Sequence, residues 1–404
     1  MRKILMILFI VSLSSCIDRQ SAVVDKKVLF RLELGKAEDQ IDLVQLPGIP
    51  FRERTRIVMK NGLFYISNGN TDKVMEFNSY GDIITLFYNP DENPPPLLLD
   101  TGDNTDTVSN RRAFEYPFNN IGEIEVTPDG TLLVDDEVSE NRVEYDKETD
   151  SVLNRIVLLF SRSGKLNGYL GQEGLGGTPF PYIEKLGVSN SGDIVVFSRT
   201  IKSRIVYWFT DDGTLLYTVT FPLENLPVPE GSDYIPFLDT LDISKTSRTV
   251  YLKIDYYRDT VSEGASSVGA DGGYAESVVW KFSVPDNRFT GSIVIPSLNV
   301  DSGNNRNVKN YNDDVYEFLG SDRYGKLYFL VHMQSDMFQL LILSPDGTVI
   351  AKSSLEIDDK DISYSSFYLS DNGLLTALLA KESDIDIVWW RSDKIKGEGD
   401  DWDH

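Results

Sequence analysis

The chain has 404 residues, 63 of them acidic against 39 basic, and a formal charge of -24. That balance repels phosphate backbones, so it excludes nucleic acid as a partner and argues against the folded body lying on an anionic membrane. Aromatic residues make up 11% and suit wide sheets packed face to face, whereas one Cys and two His are thin material for nucleophilic or metal chemistry.

In chain order, Met1-Arg2-Lys3 and the apolar run Ile4 to Leu13 have the form of an export signal, and the run is too short to cross a bilayer as a mature helix. The segment Leu13-Ser14-Ser15-Cys16 resembles the lipobox of bacterial lipoproteins. The resemblance implies cleavage after residue 15 and diacylation of Cys16, the only cysteine. Two acyl chains would anchor the protein stably. The expected division is a signal peptide over 1–15, a lipidated N-terminus and linker over 16–27, a β domain over 28–396 and an acidic tail over 397–404.

From residue 61 onward a pair of turns recurs, the signature of a repeat architecture. The first turn is Asn61-Gly62, Asp129-Gly130, Ser191-Gly192, Tyr324-Gly325 and Asn372-Gly373, with a degenerate copy at Ser247-Arg248-Thr249. Each precedes an apolar run, and Asx-Gly between such runs is a strong hairpin signal because tight turns need positive φ. The second turn closes the next hairpin at Ser79-Tyr80-Gly81, Arg162-Ser163-Gly164, Asp211-Asp212-Gly213, Pro285-Asp286-Asn287, Pro345-Asp346-Gly347 and Arg391-Ser392-Asp393. The stretch from Gly130 to Gly164 is longer than its counterparts, which places an insertion there.

Two hairpins per unit make a four-stranded antiparallel sheet. Such a sheet cannot bury both faces alone, so the predicted fold class is all-β, a six-bladed β-propeller. A pair of β-sandwiches is the competing architecture. The last unit lacks a fourth strand after Trp390. Val28 to Leu34 is a spare strand that would supply it, closing the ring from both termini. Asn89 to Asn119, with Pro94-Pro95-Pro96, reads as a long loop, and Asp259 to Glu276 as a flexible excursion.

The segment Asn154-Arg155-Ile156 through Gly164, followed by Gly171-Gln172-Glu173-Gly174-Leu175-Gly176-Gly177, is similar to the NHL-type propeller repeat over roughly residues 154 to 197. With the lipobox, the whole chain resembles six-bladed NHL-like propeller lipoproteins of bacterial envelopes, including those of spirochaetes. The resemblance implies an architecture and an envelope location, with the outer membrane favoured over the inner because Ile17 follows Cys16. It transfers little chemistry, since the family serves many functions.

Candidate chemistry is sparse. His332 follows an apolar strand and should lie on a loop, and one usable histidine cannot build a catalytic relay or a multi-His metal site. Asp135-Asp136-Glu137, also read as a between-strand loop, offers oxygen ligands of the kind calcium selects. Asn68 to Asp72, Asp255 to Asp259 and Lys381 to Asp384 should occupy equivalent loops on the same face. Tyr256-Tyr257-Arg258 reads as a loop carrying residue types frequent in binding hot spots. Trp389-Trp390, Tyr207-Trp208 and Trp280 fall where neighbouring sheets pack. The functional expectation is a monomeric, non-catalytic module, tethered through Cys16, that needs no cofactor and binds a protein, peptide or glycan. The alternative is a hydrolase or lyase using channel-mouth carboxylates and a divalent cation.

Overall fold

A computed structural model describes residues 22–43, 54–101, 110–258, 273–298, 315–333, 337–357 and 361–395. Cys16, the signal segment, most of the excursion after Arg258 and the acidic tail lie outside the described residues.

The chain is a six-bladed β-propeller. Blade 1 comprises Arg56–Lys60, Leu63–Asn68, Lys73–Phe77 and Ile83–Tyr88; blade 2 comprises Ile124–Val126, Leu132–Glu137, Arg155–Phe160 and Leu166–Gly171. Blade 3 is built from Tyr182–Val188, Ile194–Arg199, Ser203–Phe209 and Leu215–Pro222, and blade 4 from Tyr234–Ile243, Thr249–Arg258, Tyr274–Ser283 and Arg288–Ile295. Blade 5 holds Glu317–Ser321, Leu327–Met333, Met337–Leu343 and Val349–Glu356; blade 6 holds Tyr364–Leu369, Leu375–Ala380 and Asp384–Trp390. The first strand of each blade touches the first strands of both neighbouring blades, so the inner strands form a closed ring around a channel.

The repeated turns work as their residues predict. Asn61 (φ 53°) and Gly62 (φ 78°) both adopt positive φ, as a two-residue hairpin turn requires. At Asp129, Asp212 and Asp346 the carboxylate accepts from a Thr or Ser hydroxyl two residues earlier and from the backbone N–H two residues later. These hydroxyl contacts come first among the causes that hold the three carboxyls below the usual carboxylate range. Blades sandwich one another, so middle strands are buried over most of their length, and Leu375–Ala380 and Arg155–Phe160 over all of it.

Ring closure follows the expected route. Lys26–Glu33 pairs antiparallel with Asp384–Trp390 and becomes the outer strand of blade 6, with Phe30 opposite Ile387. Phe30 packs edge-on to Phe64 at 5.6 Å and lies 5.8 Å from Phe77, joining blade 6 to blade 1. Gly81 completes that seam: its φ is +86°, and a methyl group there would fall 2.8 Å from the Phe30 side chain.

Three local features differ from expectation or refine it. The insertion in blade 2 is a small hairpin, Glu144–Asp146 with Ser151–Leu153. The segment read as a loop over 89–119 contains a strand, Arg112–Glu115, running parallel to Ile83–Tyr88. The N-terminal linker likewise contributes Ala22–Val24, parallel to Val349–Glu356. Both added strands are short edge strands joined by no tight turn, and they leave no periodic signal in the sequence.

Candidate binding site at the channel mouth

Strand direction brings the start of every inner strand to one face. Arg56, Glu123, Glu184, Glu317 and Tyr364 lie at or near those starts, and Asp239 lies midway along the longer inner strand of blade 4, giving one polar residue from each blade. Bulges sharpen the ring. Blade 3 shifts register between Ile183 and Lys185 and blade 4 between Leu238 and Thr240, so Glu184 and Asp239 are the extra residues. A bulge re-aims a side chain in this way next to functional clefts.

Below the mouth is a cavity of about 250 Å³ lined by Arg56, Glu123, Glu125, Asp242, Lys245 and Tyr368 among others. Its charges are cross-linked. Arg56 Nε donates to Glu123 at 2.9 Å, Lys185 Nζ lies 3.2 Å from Asp242, and Lys253 Nζ lies 3.0 Å from Asp239 and 2.8 Å from Asp255. Deeper, Lys60 and Lys245 share Asp371, and Tyr368 donates to Glu125 at 3.1 Å. Burial works to raise the Asp371 pKa, but Lys245 and Lys60 outweigh it and hold the group below the carboxylate range. Burial likewise opposes the Lys245 charge, and Glu125, Asp371 and Asp242 outweigh it, so its pKa lies above the usual lysine value. Glu123 and Glu125 are both raised, chiefly by burial.

The carboxylates expected to bind calcium belong to a different arrangement. Asp135, Asp136 and Glu137 are not on a loop; they end the second strand of blade 2. Asp135 is fully buried and accepts from Arg155 Nε at 2.7 Å and Arg54 Nη1 at 3.0 Å. Asp136 accepts from the backbone N–H groups of Asn120 and Asn119 at 2.9 and 3.1 Å, and burial pushes its pKa up to about 7. Glu137 accepts from the side-chain amides of Asn120 and Asn154. These oxygens serve protein donors, and among the described residues no three His, Cys, Asp or Glu side chains come together to hold a metal ion.

The expected tyrosine loop is also corrected. Tyr256, Tyr257 and Arg258 extend the second strand of blade 4. Tyr256 is fully buried, donating to the Pro227 carbonyl at 2.6 Å and accepting from Trp280 Nε1 at 2.8 Å, so it is core. Tyr257 is half-buried edge-on to Tyr274, and Arg258 is exposed at the lip. His332 lies within the strand Leu327–Met333, exposed, with its ring 4.9 Å from Phe338. At all three places the strand runs two to four residues beyond the point where its polar residues suggest a loop, because strands of this propeller extend past the ring.

Sequence reading missed the arrangement that stands out at the mouth. Arg54, just before the inner strand of blade 1, places its guanidinium 4.3 Å from the ring centre of Tyr182 in blade 3, and Arg199 stands 4.4 Å from the same ring. Glu184 binds Arg204 at 2.7 Å and Arg199 at 3.4 Å. The result is a continuous arc, Arg155, Asp135, Arg54, Tyr182, Arg199, Glu184 and Arg204, spanning blades 1 to 3. Gly122 permits the crossing, since a methyl group there would fall 2.1 Å from Asp135 Oδ2 and 2.3 Å from Arg54 Nη1. Tyr182 is 41% exposed and the Arg199 side chain 47%, so both can be touched from solvent. The signal available was Arg52, Arg54 and Arg56 alternating directly before the first inner strand. Next to the arc, on blades 4 and 5, stand Ile235 (52% exposed), Phe237 (58% exposed) and Glu317. Glu317 is accessible but hemmed in by protein, and burial with the neighbouring Asp239 raises its pKa.

No protein-family model matches the chain, and no curated protein matches it. Among solved structures it is similar to a gluconolactonase from Xanthomonas campestris, at 13% identity and a TM-score of 0.41, covering 91% of this chain and 97% of that one. It is also similar to a luciferin-regenerating enzyme (9%, TM-score 0.38, 85% and 92% covered) and to the Dos1 propeller (10%, 0.36, 88% and 93%). Scores this low carry no activity across.

Proposed function

We propose that this chain is an NHL-like lipoprotein of the bacterial envelope, tethered through Cys16, whose channel mouth binds a protein or peptide partner without chemical conversion. The observation that carries this reading is the mouth itself: exposed Ile235 and Phe237 beside Tyr257 and Arg258 on blade 4, next to the exposed Arg199 and Tyr182 of neighbouring blade 3, at the rim of a polar funnel. Apolar, aromatic and arginine side chains grouped at a concave rim are what interfaces use as anchors. The funnel charges support it, because a Lys or Arg already locked to a carboxylate is positioned to complement a ligand.

Envelope crosslinking tests the reading. A partner captured by wild type and lost with Ile235→Asp/Phe237→Asp is the expected result. Identical capture by the double variant would remove the mouth from the interface. One observation favours the hydrolase or lyase alternative: Glu317 and Asp239 are neighbouring carboxylates at the mouth, and Glu317 is raised. A calcium-dependent rise in melting temperature that EDTA reverses and Glu317→Gln abolishes would select that alternative.

A further inference from the structure

We propose that the arginine arc over blades 1 to 3 seats a carboxylate of the ligand, and that a peptide carries it. This deepens the binding reading above and rests on it. The arc holds four guanidiniums, Arg54, Arg155, Arg199 and Arg204, against the carboxylates Asp135 and Glu184, with Glu137 3.8 Å from Arg155 as a third. Asp136 also acts on Arg155 and Glu123 on Arg54, so the arc carries no excess positive charge, and what it offers an anion is guanidinium donors set in place in a chain of -24. A row of guanidinium donors at the concave mouth of so acidic a molecule is where an anion can dwell.

Two donors are open. Arg199 has Glu184, at 3.4 Å, as the ion partner found among the described residues, which leaves the rest of its fork for a ligand. Arg155 is 3% exposed, and its Nη2 has no hydrogen-bond partner among the described residues; it lies toward Gly122, beside Arg54 Nη1. A buried unpaired donor is costly, and a ligand oxygen would satisfy it. The guanidinium fork matches a carboxylate with two parallel hydrogen bonds. Stacking on Tyr182 fixes the guanidiniums before binding, which removes part of the ordering cost.

A peptide fits better than an acidic sugar. Sugars dock on open aromatic faces, and here two guanidiniums stand over Tyr182. Next to the arc, Ile235 and Phe237 offer apolar contact for side chains, and Glu317 offers a carboxylate for a peptide cation.

The probes are trialanine, its C-terminal amide and digalacturonate at millimolar concentration, read by the melting temperature of the full chain. Wild type is expected to show a saturable rise of a few degrees with trialanine, as a ligand that binds only the folded state must produce. The amide should give none. Arg199→Gln should weaken the trialanine response at least tenfold, with Arg199→Lys partly restoring it; the Arg199 side chain is solvent-exposed, and circular dichroism checks the fold. Equal responses to acid and amide, an unaltered Arg199→Gln, or no response to trialanine would overturn the proposal. A response to digalacturonate alone would overturn the peptide assignment. If Ile235→Asp/Phe237→Asp still abolishes partner capture while trialanine fails, this inference falls and the binding reading stands. If capture is unaffected while trialanine binds through Arg199, the reverse holds.

Discussion

The hairpin turns on one face of the disc and the channel mouth on the other satisfy their polar groups differently. At the hairpin turns of one face, the Asp carboxylates are satisfied within a few residues of themselves, as in Thr210-Asp212-Thr214 and Ser344-Asp346-Thr348, while Lys60, Lys245 and Asp371 beside those turns tie blades together. On the mouth face, partners come from distant parts of the chain: Arg54 reaches Asp135, Arg56 reaches Glu123 and Tyr364, and Arg31 reaches Asp386. The turn face repeats because local hydrogen bonds need only a local motif. The mouth differs from blade to blade, and that is where a specific ligand can be recognised.

The comparison can be broken most forcefully at the seam, where a distant partner is a whole strand. Deleting residues 22–33 exposes the edge of Asp384–Trp390 and uncovers the Phe64 and Phe77 core, so the expected result is loss of cooperative unfolding together with aggregation. A sharp urea transition in the truncated protein would mean that the ring does not depend on its N-terminal closure. Next in size, Asp135→Ala leaves Arg54 and Arg155 facing each other with no carboxylate between them. It should destabilise by about 3–5 kcal/mol by denaturant titration, while Asp346→Ala on the turn face should barely move the midpoint.

The smallest effect depends on pH. Asp136 carries a folded-state pKa of about 7 against an ordinary 3.8, so its contribution to stability is fully present below the lower value and is lost as pH rises through the upper one. Asp136→Asn keeps an oxygen for the Asn119 and Asn120 N–H groups and does not titrate. Stability measured from about pH 4 to pH 8 should therefore fall more steeply in wild type than in Asp136→Asn, with a difference on the order of a few kcal/mol. Parallel profiles would show that Asp136 is ionised throughout.

Much of this was legible beforehand. The turn pairs marked the blades, and the missing fourth strand after Trp390 together with the spare run around Phe30 foretold the seam. Asp135 to Glu137 and Tyr256 to Arg258 were legible as polar or hot-spot residues but not as strand ends. Whether Asp135 is a free ligand depends on Arg54 and Arg155, and whether Tyr256 is exposed depends on Pro227 and Trp280.

The sequence by itself determined the blade count, the hairpins and the strand that closes the ring, because each is encoded by neighbours: a turn residue, an apolar run, a shortage at one end and a surplus at the other. Only the tertiary structure decided which charges are spent on one another and which face a ligand. A carboxylate's state is set by whatever donors stand within about 3 Å, and the propeller draws those donors from blades far apart in the chain.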